Sequence, residues 1–333
     1  MHAFVTGSTS LLGYNLVHML RAEGHRVTAL ARSPRPASDA LVKSGARVVF
    51  GDLLNVEGFA DALDGCDVLF HSAAMSQDYY YYPGNHWPRL QATNVRAAVR
   101  LLIEAEKRGL DKVVHVSTSG IVGMHPDGSP GDESTPIHPV MARNLYYQSK
   151  LRAEEAIREF LDRHRLPVTL IQPGTIFGPG DVTPTTTGQL VLNFLQRRVP
   201  FSVDAGILVV DVRDVAQAMI NAVERGGRGE RYLVAGRFYT IDEILQTLSE
   251  LTGIPAPRQQ VPQSLMLAYA QAAEWWAALT GGRALASVKG AEVAYVKLRL
   301  SSQKAIFQLG VTFRSLAETL RDEVEWYRTH PVA

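Results

Sequence analysis

FVTGSTSLLGYNLV, residues 4–17, carries an apolar run into a turn holding Gly7 and Gly13 and out again into a helix-like segment. A strand, a glycine turn and a helix start in succession aim backbone N–H groups and the positive end of the helix dipole at one point, which suits a pyrophosphate. Gly7 would make the tight turn, and Gly13 would let the helix approach the strand. Ser10 stands where a middle glycine is expected. It adds a Cβ where backbone should approach phosphate, but its hydroxyl can donate a hydrogen bond there. The expectation is binding that is weakened rather than abolished.

The same alternation continues outward from that loop. HAFVT (2–6), RVTALA (26–31), ARVVFG (46–51), CDVLFHSA (66–73) and KVVHVST (112–118) read as short buried strands. GYNLVHMLRAEG (13–24), VEGFADALDG (56–65) and NVRAAVRLLIEAEKRG (94–109) read as helices between them, several stopping at Gly. Strand and helix in succession argue for a parallel sheet covered on both faces, and right-handed crossovers make it a doubly wound α/β fold. After residue 123 the chain alternates long Pro- and Gly-rich loops (123–140 and 178–188) with further strands and helices, and ends mainly helical. The organisation expected is a dinucleotide-binding Rossmann domain over residues 1–173, with 207–235 returning to it. A smaller, mainly helical substrate lobe would comprise 174–206 and 236–333.

Composition narrows the classes. The 333 residues are 46% apolar and 20% charged, as in ordinary globular proteins. A net charge of +1 gives no electrostatic footprint for nucleic acid or an anionic membrane surface. Cys66 is the single cysteine, so an internal disulfide is excluded. Met1 leads almost directly into a strand, no signal peptide is expected, and the cytoplasm is the expected location. The ten histidines form no i, i+4 pair and have no cysteine partners, so no metal site is expected. The most apolar stretch, SLMLAYAQAAEWWAALT (264–280), is short for a membrane span and contains Gln271 and Glu274. It reads as a buried or pocket-lining helix, with contact at a membrane interface as the lesser alternative, and Met266, Trp275 and Trp276 read as core ahead of ligand contacts.

Three further segments carry chemistry. TALARSPRP (28–36) ends the second strand with Arg32, and Arg35 follows closely. An acidic residue there would hold ribose hydroxyls, whereas an arginine accommodates a 2′-phosphate, so NADP is preferred over NAD unless Arg32 is an ordinary surface arginine. Asp52, after the third strand, either caps a turn or touches the adenine. In NLYYQSK (144–150), Tyr146 and Lys150 are four apart and share a helix face, while Tyr147 is out of phase. A nearby ammonium favours the phenolate, which lets tyrosine exchange a proton with a carbonyl or hydroxyl near neutral pH. VHVSTSG (114–120) ends a strand in Ser117, Thr118 and Ser119, on the carboxyl edge of the sheet where ligands sit.

Taken together these segments resemble the extended short-chain dehydrogenase/reductase family along nearly the whole chain. Its T-G-x-x-G-x-x-G loop is matched by Thr6, Gly7 and Gly13, with Ser10 departing; its Asp-Leu pair by Asp52 and Leu53; its Ala-Ala turn by Ala73 and Ala74; and its helix-starting Asn by Asn94. Counting back from Gly123 puts Thr118 on the family's catalytic hydroxyl, with its neighbours Ser117 and Ser119 as second choices, ahead of Tyr146-x-x-x-Lys150. QPGTIFGPGD (172–181) resembles the nicotinamide segment and VVDVRDVAQAM (209–219) a later strand and helix in which Asp214 is structural. Within the family, GPGDVTPTTTG (178–188) and GERYLVAG (229–236) are closest to the dihydroflavonol-reductase-like and hydroxysteroid-dehydrogenase-like branch, which includes hopanoid-associated sugar epimerase-like proteins.

The resemblance implies a catalytic set of Thr118, Tyr146 and Lys150. It implies cofactor contacts from Gly7, Thr9, Ser10, Leu11, Leu12, Gly13, Arg32, Asp52, Leu53, Ala73, Ala74, Tyr146, Lys150, Pro173, Gly174 and Thr175. The function it implies is an NADP-dependent oxidoreductase that reduces an aldehyde or ketone of a hydrophobic or ring-containing small molecule, or oxidises the matching alcohol. An epimerase or dehydratase using NAD on a sugar nucleotide is the alternative, with Arg197 and Arg198 available to a diphosphate. A non-catalytic dinucleotide sensor is disfavoured because Tyr146 and Lys150 are both kept. QDYYYYPGNHW (77–87) either walls an apolar pocket or packs as a surface loop. A homodimer through helices starting near Asn94 and Tyr146 is a further expectation.

Overall fold

Strands in this protein are short apolar runs, and a computed structural model places them as follows: β1 (His2–Thr6), β2 (Arg26–Ala31), β3 (Arg47–Phe50), β4 (Val68–His71), β5 (Lys112–Val116), β6 (Val168–Pro173), β7 (Thr175–Phe177), β8 (Ser202–Val203), β9 (Gly206–Asp211), β10 (Arg231–Val234), β11 (Arg237–Thr240) and β12 (Gln260–Val261). The structure describes residues 1–282, 284 and 286–330, without the side chains of Gln77 and Asp78. Seven strands form one parallel sheet in the order β10-β6-β5-β4-β1-β2-β3. Val5 pairs with Ala29 on one side and Phe70 on the other, and His71 pairs with His115. The order reverses between β1 and β4, which opens a crevice at their carboxyl ends, where α/β sheets hold ligands.

Both faces of the sheet are covered, which is why its strands are continuous apolar runs rather than alternating ones. On one face the helices Leu11–Ala22 and Val212–Arg225 bury Leu16, Val17, Val215 and Met219 against Val5 and Phe70. On the other, the helices Ala97–Lys107 and Leu145–Arg163 bury Leu101, Ile157 and Phe160 against Phe4 and Leu69. The chain leaves this sheet at Gly174 and returns with β10. Outside it, β7, β9 and β11 form a second sheet, and the helices Ile241–Thr252 and Leu316–Thr329 share a core with Phe177 and Phe194.

Three local expectations are corrected. Residues 56–65 do not make an α-helix. They fall in two 3₁₀ segments that meet at Phe59, Leu53–Gly58, itself kinked at Asn55 (φ −133°), and Ala60–Leu63. The helix around Asn94 does not start there, because the chain is already helical from Trp87 and Asn94 lies inside a π-type turn, Gln91–Arg96. Trp275 and Trp276 are not core: on the helix Gln263–Thr280 they are 67% and 69% exposed, and only Ala270 and Ala277 are buried. That helix touches the body through Ala270 and Ala277, seven residues apart, with Met266 and Leu267 half-buried, and turns its other large apolar side chains outward. An apolar composition on all sides had suggested burial.

Candidate active site

The opening loop is closed by contacts that tolerate no extra carbon. Gly7 has φ +68°, and a Cβ there would lie 2.7 Å from Ala73 N; a Cβ on Gly13 would lie 2.1 Å from the Gly7 carbonyl oxygen. Ser10 is exposed and caps the helix Leu11–Ala22: its hydroxyl donates to the Gly7 carbonyl (2.7 Å) and accepts from the Gly13 N–H (3.3 Å). The side chain that replaces the middle glycine therefore folds back to tighten the loop. The first-turn N–H groups of Leu11 and Leu12 have no intrahelical acceptor and remain available at the positive helix end. Thr9 sits on the same turn. Ser72 Oγ donates to the Thr6 carbonyl, which sets Ala73 against Gly7 with Ala74 exposed beside it. These features suit a dinucleotide phosphate: a cradle that a Cβ would fill, beside unpaired amides.

The Tyr–Lys pair is positioned by helix capping. Asn144 Oδ1 accepts from the Tyr146 N–H (3.0 Å), and Tyr79 Oη accepts from the Leu145 N–H (3.1 Å). Asn144 Nδ2 also donates to Tyr80 Oη (3.3 Å). The ring of Tyr80 meets Tyr146 edge-on at 6.2 Å. The aromatic stretch 77–87 thus reaches the site: Tyr79 is buried and Tyr80 half-buried, whereas Tyr82 is exposed. Tyr147, one residue on, packs over Gly120, where a Cβ would lie 2.1 Å from the ring.

The electrostatics are less simple than a shared helix face suggests. Lys150 is buried, donates from Nζ to the Val116 carbonyl (2.8 Å), and is pulled down to about 8 by burial, with the Glu154 carboxylate opposing. Tyr146 is held above the usual phenol range by burial and then by Tyr147. Beneath Lys150, His71 accepts or donates at Thr6 Oγ1 (2.7 Å) and stacks obliquely on His115, with ring centroids 5.0 Å apart. Burial and the nearby Lys150 push His71 down to about 3, and burial lowers His115 well below its usual value, so both rings stay neutral. Thr118 caps the short turn after β5 by accepting from the Gly120 N–H (3.2 Å), and the buried Ser117 hydroxyl has no hydrogen-bond partner.

The remaining expected residues spread along the carboxyl edge. Arg32 is exposed just past β2, and Asp52 accepts from the Leu54 N–H (2.9 Å), so the turn-capping role is the one this structure contains. Leu53 lines a cavity of about 250 Å³ with Arg96 and Arg100. Pro173 ends β6 opposite Val234, Gly174 fits where a Cβ would lie 2.4 Å from the Ala235 carbonyl, and Thr175 opens β7. A larger cavity of about 680 Å³, between Tyr239, Asp242, Arg258 and Ser315, includes none of these residues.

Two residues take positioning roles that the sequence did not indicate: Asn94, matched only as a helix-starting Asn, and Glu154. Asn94 is buried, accepts from the Met75 N–H (2.8 Å), and donates to the Met75 carbonyl (3.1 Å) and to Ser149 Oγ (2.9 Å), tying the turn after β4 to the Tyr–Lys helix. Glu154, one turn past Lys150, accepts from Gln172 Nε2 (2.9 Å) and lies 3.7 Å from Arg231. The i, i+4 spacing of Lys150 and Glu154 was the signal available for the second. Nothing local marked the partners of the first, which lie 19 and 55 residues away.

Known proteins resemble this chain along most of its length. The model of the NAD dependent epimerase/dehydratase family matches residues 3–235. A Synechocystis sp. protein provisionally named a dihydroflavonol 4-reductase is 34% identical, covering 98% of this chain and 94% of its own. The protein named sterol demethylase protein B of Methylococcus capsulatus is 36% identical over 80% of this chain and 79% of its own. The crystal structure of a protein named gox2253 superposes with a TM-score of 0.82 at 29% identity, covering 99% of this chain and 98% of that one.

Proposed function

The chain belongs to the NAD dependent epimerase/dehydratase family, and from that premise we propose that it is an NADP-preferring reductase of an aldehyde or ketone on a hydrophobic or ring-bearing small molecule. The observation that carries the reading is the setting of Tyr146, a phenol held protonated at neutral pH beside the aromatic edge of Tyr80. A protonated acid against an apolar wall suits carbonyl reduction. The similarity to a reductase-named relative along nearly both chains supports the same direction.

A bound nicotinamide dinucleotide supplies the hydride in this reading. The loop Gly7–Gly13, with Thr9, Ser10 and the amides of Leu11 and Leu12, would hold its pyrophosphate. Arg32 would take the 2′-phosphate. Asp52, Leu53, Ala73 and Ala74 would lie along the adenosine side, and Pro173, Gly174 and Thr175 by the carboxamide. Tyr146 gives its phenolic proton to the substrate oxygen as that oxygen becomes a hydroxyl, and takes it back in the oxidising direction. Thr118 donates a hydrogen bond to the same oxygen, stabilising charge as it develops. Lys150 holds a positive charge beneath the pair, where it would touch the nicotinamide ribose.

Turnover separates this from sugar-nucleotide epimerisation. A reductase consumes NADPH in step with alcohol formed, while an epimerase returns its cofactor unchanged. The Tyr146→Phe variant is expected to bind NADPH normally and lose nearly all carbonyl reduction; full activity in that variant would remove the proton-transfer role. Arg32→Ala is expected to weaken NADPH far more than NADH, and equal losses would refute the 2′-phosphate assignment.

A further inference from the structure

Among the described residues, half of the large exposed apolar side chains lie on one helix, Gln263–Thr280: Leu265, Tyr269, Trp275, Trp276 and Leu279. At about 100° per residue they fall within an arc of about 120°, and the other residues of that arc are alanines. No charge interrupts it. The opposite side of the helix carries the contacts to the body, where Ala270 and Ala277 are buried and Glu274 accepts from the Val288 N–H (3.0 Å) and Ser287 Oγ (3.4 Å). Those residues lead straight to the candidate site. Lys289 Nζ stands 4.5 Å over the Tyr79 ring, the Ala284 N–H donates to the Tyr81 carbonyl (2.8 Å), and neighbouring Tyr80 meets Tyr146.

We propose that this helix seats on the surface of a lipid bilayer, lying in the plane of the interface with the mouth of the candidate site beside the contact. The inference stands on the helix face alone and is independent of the reaction assigned above. The helix cannot cross a bilayer: 18 residues span about 27 Å against a hydrocarbon core of about 30 Å, and no helix among the described residues is long and apolar enough. A second copy is a poorer occupant. A face about 27 Å long and 10 Å wide buries roughly 300 Å² per partner, far short of the roughly 800 Å² per partner of a stable interface. A bilayer imposes no such threshold and favours tryptophan and tyrosine at headgroup depth. Because the arc is uncharged, docking draws on apolar area rather than on anionic lipid.

The test uses the full chain and vesicles of pure phosphatidylcholine, read by co-sedimentation and by the blue shift of tryptophan emission. Binding is expected that is insensitive to salt and little improved by adding phosphatidylglycerol. A triple variant, Trp275→Gln, Trp276→Gln and Leu279→Gln, changes only exposed side chains and is expected to keep its circular dichroism and thermal midpoint while partitioning at least about tenfold more weakly. Trp276→Leu alone should retain most binding, since apolar area is kept. No partition to either lipid, or equal partition of the triple variant, would overturn the proposal. So would self-association that the triple variant abolishes without vesicle binding, which would assign the face to a second copy. Binding confined to anionic vesicles and lost in salt would equally sink it, by placing the contact on charge elsewhere.

Discussion

Lys150→Met is expected to abolish carbonyl reduction while leaving the fold as stable as before or slightly more so near neutral pH. Lys150 is 3% exposed, and burial lowers it from 10.5 to about 8, with Glu154 partly offsetting. Below pH 8 both folded and unfolded chains carry the ammonium, and the folded one bears the whole penalty of burying it. That gap corresponds to about 3 kcal/mol. Between about pH 8 and 10.5 the folded chain has released the proton and the unfolded chain has not, so wild-type stability rises with pH across that window, by about 2 kcal/mol between pH 7.5 and 9.5. Methionine removes this titration but leaves the Val116 carbonyl without the donor that lies 2.8 Å away, at a cost of about 1–2 kcal/mol. The variant should therefore lead by about 1–2 kcal/mol at pH 7.5 and lose that lead by pH 9.5. Urea unfolding of both proteins at the two pH values measures the difference directly, and other titrating groups cancel in the comparison. A wild-type-to-variant gap that does not change with pH would refute the reasoning, because Lys150 would then titrate as an ordinary lysine.

Ser10→Gly should cost only a few tenths of a kcal/mol. Dinucleotide binding should be equal or tighter, because the hydroxyl closes the loop on Gly7 and Gly13; clearly weaker binding by fluorescence titration would mean that the hydroxyl itself contacts phosphate. In Gly13→Ala the new Cβ meets the Gly7 carbonyl at 2.1 Å, so the loop must open, with about 1–3 kcal/mol of stability lost by urea unfolding and at least tenfold weaker NADPH binding. Glu154→Gln removes the carboxylate that raises Lys150, so the alkaline limb of the pH–activity profile should move down by about one pH unit, and an unmoved limb would uncouple the two residues.

The parts of this fold that were legible in sequence are those in which one physical rule acts over a continuous stretch. β1, β2, β4, β5 and β6 are largely buried and therefore appear as near-continuous apolar runs, while β3, at the sheet edge, keeps its apolar Val48 and Val49 between exposed ends; the glycine turn at residues 7–13 is required by contacts of 2.7 Å and 2.1 Å that any Cβ would make. Asp52, left open between two roles, caps its own turn because its partner is two residues away. Pairings across the fold were not legible. Asn94 reaches Met75 and Ser149, 19 and 55 residues distant, and its π-type turn has no local sequence signature. The tryptophan helix shows a different gap: apolar composition states which residues gain by leaving water, but not whether the fold supplies the surface that covers them.

The Tyr146–Lys150 pair shows why a motif does not carry its own electrostatics. Four-residue spacing puts both side chains on one helix face, and the expectation that the ammonium would lower the phenol assumed that the charge faces it. In the structure the ammonium is turned to the Val116 carbonyl at the end of β5, and the groups acting on Tyr146 are burial and Tyr147, both raising it. Any lowering of the phenol must then come from whatever bridges Tyr146 and Lys150 when the crevice is filled. The strength of that bridge depends on how much positive charge Lys150 retains at neutral pH. Burial pulls it toward 8 and Glu154 resists, so the carboxylate one helical turn away, held by Gln172, adjusts the charge available to the tyrosine without touching substrate. Residues outside the motif thus decide whether the motif works at a given pH.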